Sequence, residues 1–121
     1  MPRDPRKLAV FHRAHALALA VYRLTMALPA EERYGLSTQL RRAAVSVPTN
    51  LVEGSARITP REYRHFVGVA LGSAAEVQYL LRLVVDLRLL VEDDVAVCRT
   101  CSGHVVRELQ NLLNAVSRFE P

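Results

Sequence analysis

Thr59-Pro60-Arg61-Glu62-Tyr63-Arg64-His65-Phe66-Val67-Gly68-Val69-Ala70-Leu71-Gly72 opens a largely apolar stretch that continues to Val91. Its first residues spell a helix start. Thr59 is the N-cap, Pro60 occupies the first helical position, where its missing N–H is no loss, and Glu62 closes a capping box. The pattern predicts a helix from about residue 60 to Leu90. From Phe66 to Val91, 18 of 26 residues are apolar, whereas a helix with one buried face needs roughly three in seven. That surplus has to be covered, either inside the chain's own bundle or by other copies. Gly68, Gly72 and Ala75 add a strip of small residues. Gly within a helix costs ~1 kcal/mol relative to Ala, so close approach of a neighbouring backbone is the natural offset. A homo-oligomer is the expectation.

The same 3–4 spacing extends outward in both directions. Val10, Ala14, Leu17, Val21, Leu24 and Leu28 form one stripe, closed by Pro29. Leu36, Leu40, Ala43, Val47 and Leu51 form another, over about 36 to 57. A last helix is predicted from Glu92 to about Arg118, with Val95, Cys98, Val105, Leu109, Leu112, Val116 and Phe119 on one face. It starts on Glu92-Asp93-Asp94, three carboxylates where the helix dipole favours negative charge. No strand pattern and no internal repeat is present. The predicted class is all-α, an antiparallel up-down four-helix bundle, with residues 1–7 as a basic arm and residues 8–121 as the bundle domain.

At 121 residues and 50% apolar composition, the chain holds one core and is not intrinsically disordered. Basic residues precede an apolar run at the start, but His12, Arg13 and His15 interrupt it, so no leader is expected. Charge-free stretches fall far short of the ~20 residues of a membrane span. Two cysteines give no disulfide framework. A cytoplasmic protein with no membrane partner is the expectation. Aromatics at 6% with no Trp argue against a base-stacking platform for single strands.

Arg42, Ser46, Asn50, Glu53 and Arg57 recur at steps of four, four, three and four, which places all five on one helix face. That face is either merely solvated or a polar network. Pro48 in the same segment frees the carbonyl of Ala44 and invites Asn or Ser to serve it. Glu76 stands alone among Gly72, Ser73, Val77 and Leu80. Buried, it would need a partner, and Arg42 or Asn50 is the expected one. Such a network would fix the register of the second helix on the third, a structural role.

Leu28-Pro29, Glu31-Glu32-Arg33-Tyr34-Gly35-Leu36, the run Gln39 to Pro48 and Asn50-Leu51-Val52-Glu53-Gly54 carry a resemblance, which continues through Glu62-Tyr63, Phe66 and Ala70 to Val77. Over residues 8–118 the chain resembles the bacterial four-helix-bundle proteins first noted as reading frames within intervening sequences of 23S ribosomal RNA genes. It departs mildly at Leu51-Val52, where the family usually has Ile-Ala, and its last helix matches in pattern only. The resemblance implies a ring-like homopentamer. It also implies kinship with the accessory variability protein of diversity-generating retroelements, a basic pentamer that binds nucleic acid and a reverse transcriptase.

Charge is uneven. Residues 1–64 hold eleven cations and five acids, a net of +6; residues 65–121 hold five and seven, a net of −2. Arg41, Arg57, Arg61 and Arg64 are the candidate nucleic-acid contacts, since phosphate neutralisation supplies most non-specific affinity. Arg42 is assigned to the internal network. In the alternative reading these arginines pair with acids within or between subunits, and the protein is an oligomeric scaffold for protein partners. Arg3, Arg6 and Lys7 form an arm that either reaches a partner or is disordered.

Cys98-x-x-Cys101-x-x-His104 lies on one side of the last helix, but a structural zinc site usually wants four ligands. A fourth would come from His12, His15 or His65. Small core-facing residues are the simpler meaning, and no metal or other cofactor is expected. No Glu-x-x-Glu pair, nucleophile triad, phosphate-cradling glycine loop or His-Glu-x-x-His is present. A non-enzymatic protein is expected.

Overall fold

The computed structural model describes residues 3–117. A short 3-10 turn, Pro5–Lys7, leads into α1, Ala9–Thr25; a second, Ala30–Glu32, precedes α2, Leu36–Ser55; α3 spans Pro60–Asp86 and α4 spans Glu92–Ser117. Among the described residues there is no strand. The fold is an all-α four-helix bundle in which α1 packs on α2 and α4, and α3 packs on the same two helices.

Each helix forms because its apolar residues return every third or fourth position and so share one face. Leu17 and Val21 of α1, Leu40, Val47 and Leu51 of α2, Val67, Val77, Leu81 and Val84 of α3, and Val95, Val105 and Leu109 of α4 are all fully enclosed. Burying each such side chain contributes ~1.5–3 kcal/mol. By length and composition α3 is also a helix able to cross a membrane; here its inner stripe packs on α2 and α4 as the core helix.

The helix ends show what the spacing could not fix. Thr59 Oγ1 accepts the Glu62 N–H at 3.1 Å, as the capping pattern requires. At the start of α4, Asp94 Oδ2 accepts the Val91 N–H at 3.0 Å. Helix α3 ends at Asp86, earlier than the expected Leu90, because Arg88 turns into the left-handed region (φ 60°). Leu89 N–H then reaches the Val84 carbonyl at 3.1 Å and Arg88 N–H the Val85 carbonyl at 2.9 Å. This is a Schellman closure with arginine where glycine is usual. Similarly, α1 ends at Thr25 and not at Leu28, because Met26, Ala27 and Leu28 donate to carbonyls three residues back. The expected contributions of Arg118 and Phe119 lie outside the described residues.

Close backbone approach occurs at Gly54. A Cβ there would sit 2.8 Å from Phe66 Cβ and 3.5 Å from Tyr63 Cδ1, so α2 meets the start of α3 through a position only glycine fills. Gly68 and Gly72 differ: a Cβ on either meets nothing within 4 Å. Among the described residues, no other helix covers them.

Candidate nucleic-acid interface

The junction of α2 and α3 gathers a cluster of cations. Arg57 follows the last turn of α2, half-buried, with its guanidinium 4.8 Å from the Phe66 ring centre and Nη2 3.4 Å from Glu53 Oε1. Arg61 and Arg64 are exposed on the first two turns of α3. The N-terminal segment docks at the same place. Arg3 donates its N–H to the Ser55 carbonyl at 2.7 Å and lays its guanidinium 4.0 Å from the centre of the Tyr63 ring. Arg6 bonds Asp4 through Nε at 3.1 Å, and Lys7 is exposed beside it. Residues 3–7 are therefore fastened to the bundle through Arg3; Met1 and Pro2 lie outside the described residues.

Tyr63 ties this end to the core. Its ring is 2% exposed and is pinned between Gly54 and Arg3. Burial pushes its hydroxyl above the ordinary tyrosine range, opposed in part by the Arg3 charge.

Arg41 is not part of that cluster. It stands sixteen residues before Arg57 on α2, about 24 Å away at 1.5 Å per residue. Its Nε donates to Thr25 Oγ1 at 2.8 Å, and its guanidinium lies 4.6 Å from the Tyr22 ring centre. The four arginines grouped by sequence are thus divided, three at the α2–α3 junction and Arg41 against the end of α1. Arg33 is exposed near Arg41 across one cleft.

The polar stripe on α2 is present with different members. Asn50 Nδ2 donates to the Ser46 carbonyl at 2.7 Å and to Ser46 Oγ at 2.9 Å, and Ser46 Oγ lies 2.8 Å from Ser73 Oγ on α3. Asn50 therefore serves the carbonyl of Ser46, not that of Ala44. The residue of α3 that receives α2 is Ser73, where Glu76 was expected. Glu76 is exposed, as is Arg42, and no ion pair within 4 Å joins them among the described residues, although both line a groove of about 490 Å³ with Gln39, Ser46 and Ser73. An acid left in water escapes the desolvation that a buried pair must offset. Glu53 pairs with Arg57 one turn along. The signal for Ser73 was its small size between Gly72 and Ala74 on a helix packed against Ser46.

Cys98 faces the core and its thiol is pushed up to about 11 by burial, with the neighbouring Cys101 adding to it. Cys101 donates to the Arg13 carbonyl at 3.6 Å. Among the described residues, no group of three or more His, Cys, Asp or Glu side chains is arranged to hold a metal.

Residues 6–114 match the family model described as 23S rRNA-intervening sequence protein. No curated protein matches the chain. Among solved structures, a protein of unknown function from the S23 ribosomal protein family of Bacteroides thetaiotaomicron superposes with a TM-score of 0.81 at 19% identity, covering 87% of this chain and 98% of that one. The likeness extends over nearly all of both chains and shows the same fold. With the family match spanning all four helices, the chain belongs to the 23S rRNA-intervening sequence protein family.

Proposed function

We propose that this is a non-enzymatic, homo-oligomeric binding protein whose α2–α3 junction contacts the phosphates of structured RNA or DNA. The observation that carries the reading is the gathering of Arg3, Lys7, Arg57, Arg61 and Arg64 at one junction. Arg57 and Arg3 are held over aromatic rings, and Arg57 is also paired with Glu53. Arginine suits phosphate because its planar fork reaches two oxygens at once.

The bundle is read as antiparallel and up-down. Short connections support this, as do Arg41, from the early part of α2, on Thr25 at the end of α1, and Arg13, from the early part of α1, 2.7 Å from Glu108 late in α4. Assembly is supported by α3, where Gly68 and Gly72 stay uncovered and Val69 and Tyr79 are exposed. Family membership favours a pentamer, which would repeat the basic junction fivefold, with a reverse-transcriptase-like or other nucleic-acid-handling protein as a further partner.

The test is a titration of labelled structured RNA and duplex DNA at ~50 and ~200 mM salt, where several phosphate contacts give a steep loss of affinity. Arg61→Glu with Arg64→Glu is expected to abolish binding and leave assembly intact, because acids near a helix N-terminus agree with its dipole. Absence of binding at the lower salt rejects this reading in favour of an oligomeric scaffold for protein partners.

A further inference from the structure

At the opposite end of α2 from the basic junction lies a cleft of about 330 Å³, walled by Thr25 and Leu28 of the α1 end and by Arg33, Ser37, Thr38 and Arg41. No acidic side chain lines it. We propose that this cleft binds a phosphate group.

Four features converge there. First, the N-cap residue of α2 supplies no side-chain cap. Gly35 is its N-cap, and Glu32 Oε1 accepts only the Leu36 N–H, at 3.3 Å. The next two amides, of Ser37 and Thr38, have no acceptor among the described residues. A twenty-residue helix thus presents open N–H groups and the positive end of its dipole at the cleft.

Second, Ser37 is 8% exposed, lines the cleft, and has no hydrogen-bond partner for its hydroxyl among the described residues. The residue is largely enclosed while its hydroxyl stays accessible from the cleft, so it is available to a ligand. Its neighbour Thr38 is already committed, donating to the Arg33 carbonyl at 2.6 Å.

Third, two guanidiniums flank the opening. Arg33 has no acid within 4 Å among the described residues. Arg41 is held in place by Thr25 Oγ1 and the Tyr22 ring, which leaves its terminal nitrogens available. Fourth, part of the carbonyl edge at the opposing end of α1 is already satisfied. The carbonyls of Arg23, Leu24 and Thr25 take the N–H groups of Met26, Ala27 and Leu28.

Two backbone donors, one hydroxyl donor and two cationic forks exceed what the two oxygens of a carboxylate can accept. A phosphate group, with three or more terminal or ester oxygens and up to two negative charges, matches the number of donors. The source is either the phosphate of a nucleic acid or that of a small phosphorylated molecule, and the two are separable.

The experiment is a titration of the full-length protein with inorganic phosphate at fixed ionic strength, followed by amide NMR. Saturable shifts centred on Ser37 and Thr38 are expected. Arg33→Gln, at an exposed position, should weaken the response about tenfold, the scale of one charge-assisted hydrogen bond. Ser37→Ala should weaken it to a smaller degree. Shifts that fail to saturate, or that are unchanged in both variants, overturn the proposal.

A second arm compares oligonucleotides carrying a 5′-phosphate with the same strands ending in a 5′-hydroxyl. Tighter binding of the phosphorylated strand, lost in Arg33→Gln, assigns the site to nucleic acid; equal binding with a saturable phosphate response assigns it to a small molecule. The Arg61→Glu, Arg64→Glu variant keeps the phosphate response, so failure of the basic junction and failure of the cleft read out separately.

Discussion

The two ends of α2 are built from the same residue types and behave differently. At the α3 end, Arg57 and Arg3 rest on Phe66 and Tyr63, rings that belong to the packed junction. At the α1 end, Arg41 rests on Tyr22, a ring 42% exposed, and its fixed position comes from the hydroxyl of Thr25. The first end is an arginine surface supported by a buried tyrosine and a half-buried phenylalanine. The second is a recess whose polarity comes from backbone amides and hydroxyls. A cation's role therefore follows from what lies beneath it, and helical spacing records only the face it occupies.

The sharpest test of this contrast is truncation of the two tyrosines. Tyr63→Ala should lower stability by ~3–5 kcal/mol, as loss of a buried aromatic does, whereas Tyr22→Ala should cost under ~1 kcal/mol. Urea denaturation of both variants reads the difference, and equal losses would erase the distinction between the ends. Tyr63 also gives a pH signature. Its folded hydroxyl titrates above the unfolded value, so the unfolded state sheds its proton first, and stability falls as pH rises beyond ~10.

A smaller effect belongs to Gly54→Ala. The added methyl meets Phe66 Cβ at 2.8 Å, and overpacking of this kind costs ~1–3 kcal/mol. Because Phe66 carries Arg57, the same variant should weaken binding at the basic junction and leave the Ser37 cleft unaltered. Comparing nucleic-acid affinity with phosphate response in that one protein checks both halves.

Midway between the ends, Glu76→Ala is expected to change stability by under ~0.5 kcal/mol, since the carboxylate is exposed. A loss of several kcal/mol would restore the buried charge that the apolar flanks of Glu76 suggested.

Much of the fold was legible from periodicity. The four apolar stripes, the Thr59 cap and the acidic start of α4 all lie where spacing and local chemistry put them. The early end of α3 was not, because Arg88 carries no glycine signal for its left-handed turn. The site was less legible. Arg41 and Arg57 read alike in one dimension, and only packing against α1 separates them. Glu76 reads as a candidate buried acid from its neighbours Gly72, Ser73, Val77 and Leu80, but those neighbours do not say that Gly72 and Ala75, beside it, face away from the described helices of the chain. Ser37 gave no signal at all: its environment is made by Pro29, Leu28 and Arg33, brought to it by the turn between α1 and α2.

Arg88 has a consequence for how this fold tolerates change. An L-residue held at φ 60° gives up roughly 1–2 kcal/mol of stability that glycine would retain, offset in part by glycine's greater freedom when unfolded. The α3–α4 turn is thus a reserve of unrealised stability at a residue that lines neither the basic junction nor the cleft. A single Arg88→Gly replacement would let the chain absorb a moderately damaging substitution elsewhere, such as one that reshapes a binding surface, and still fold.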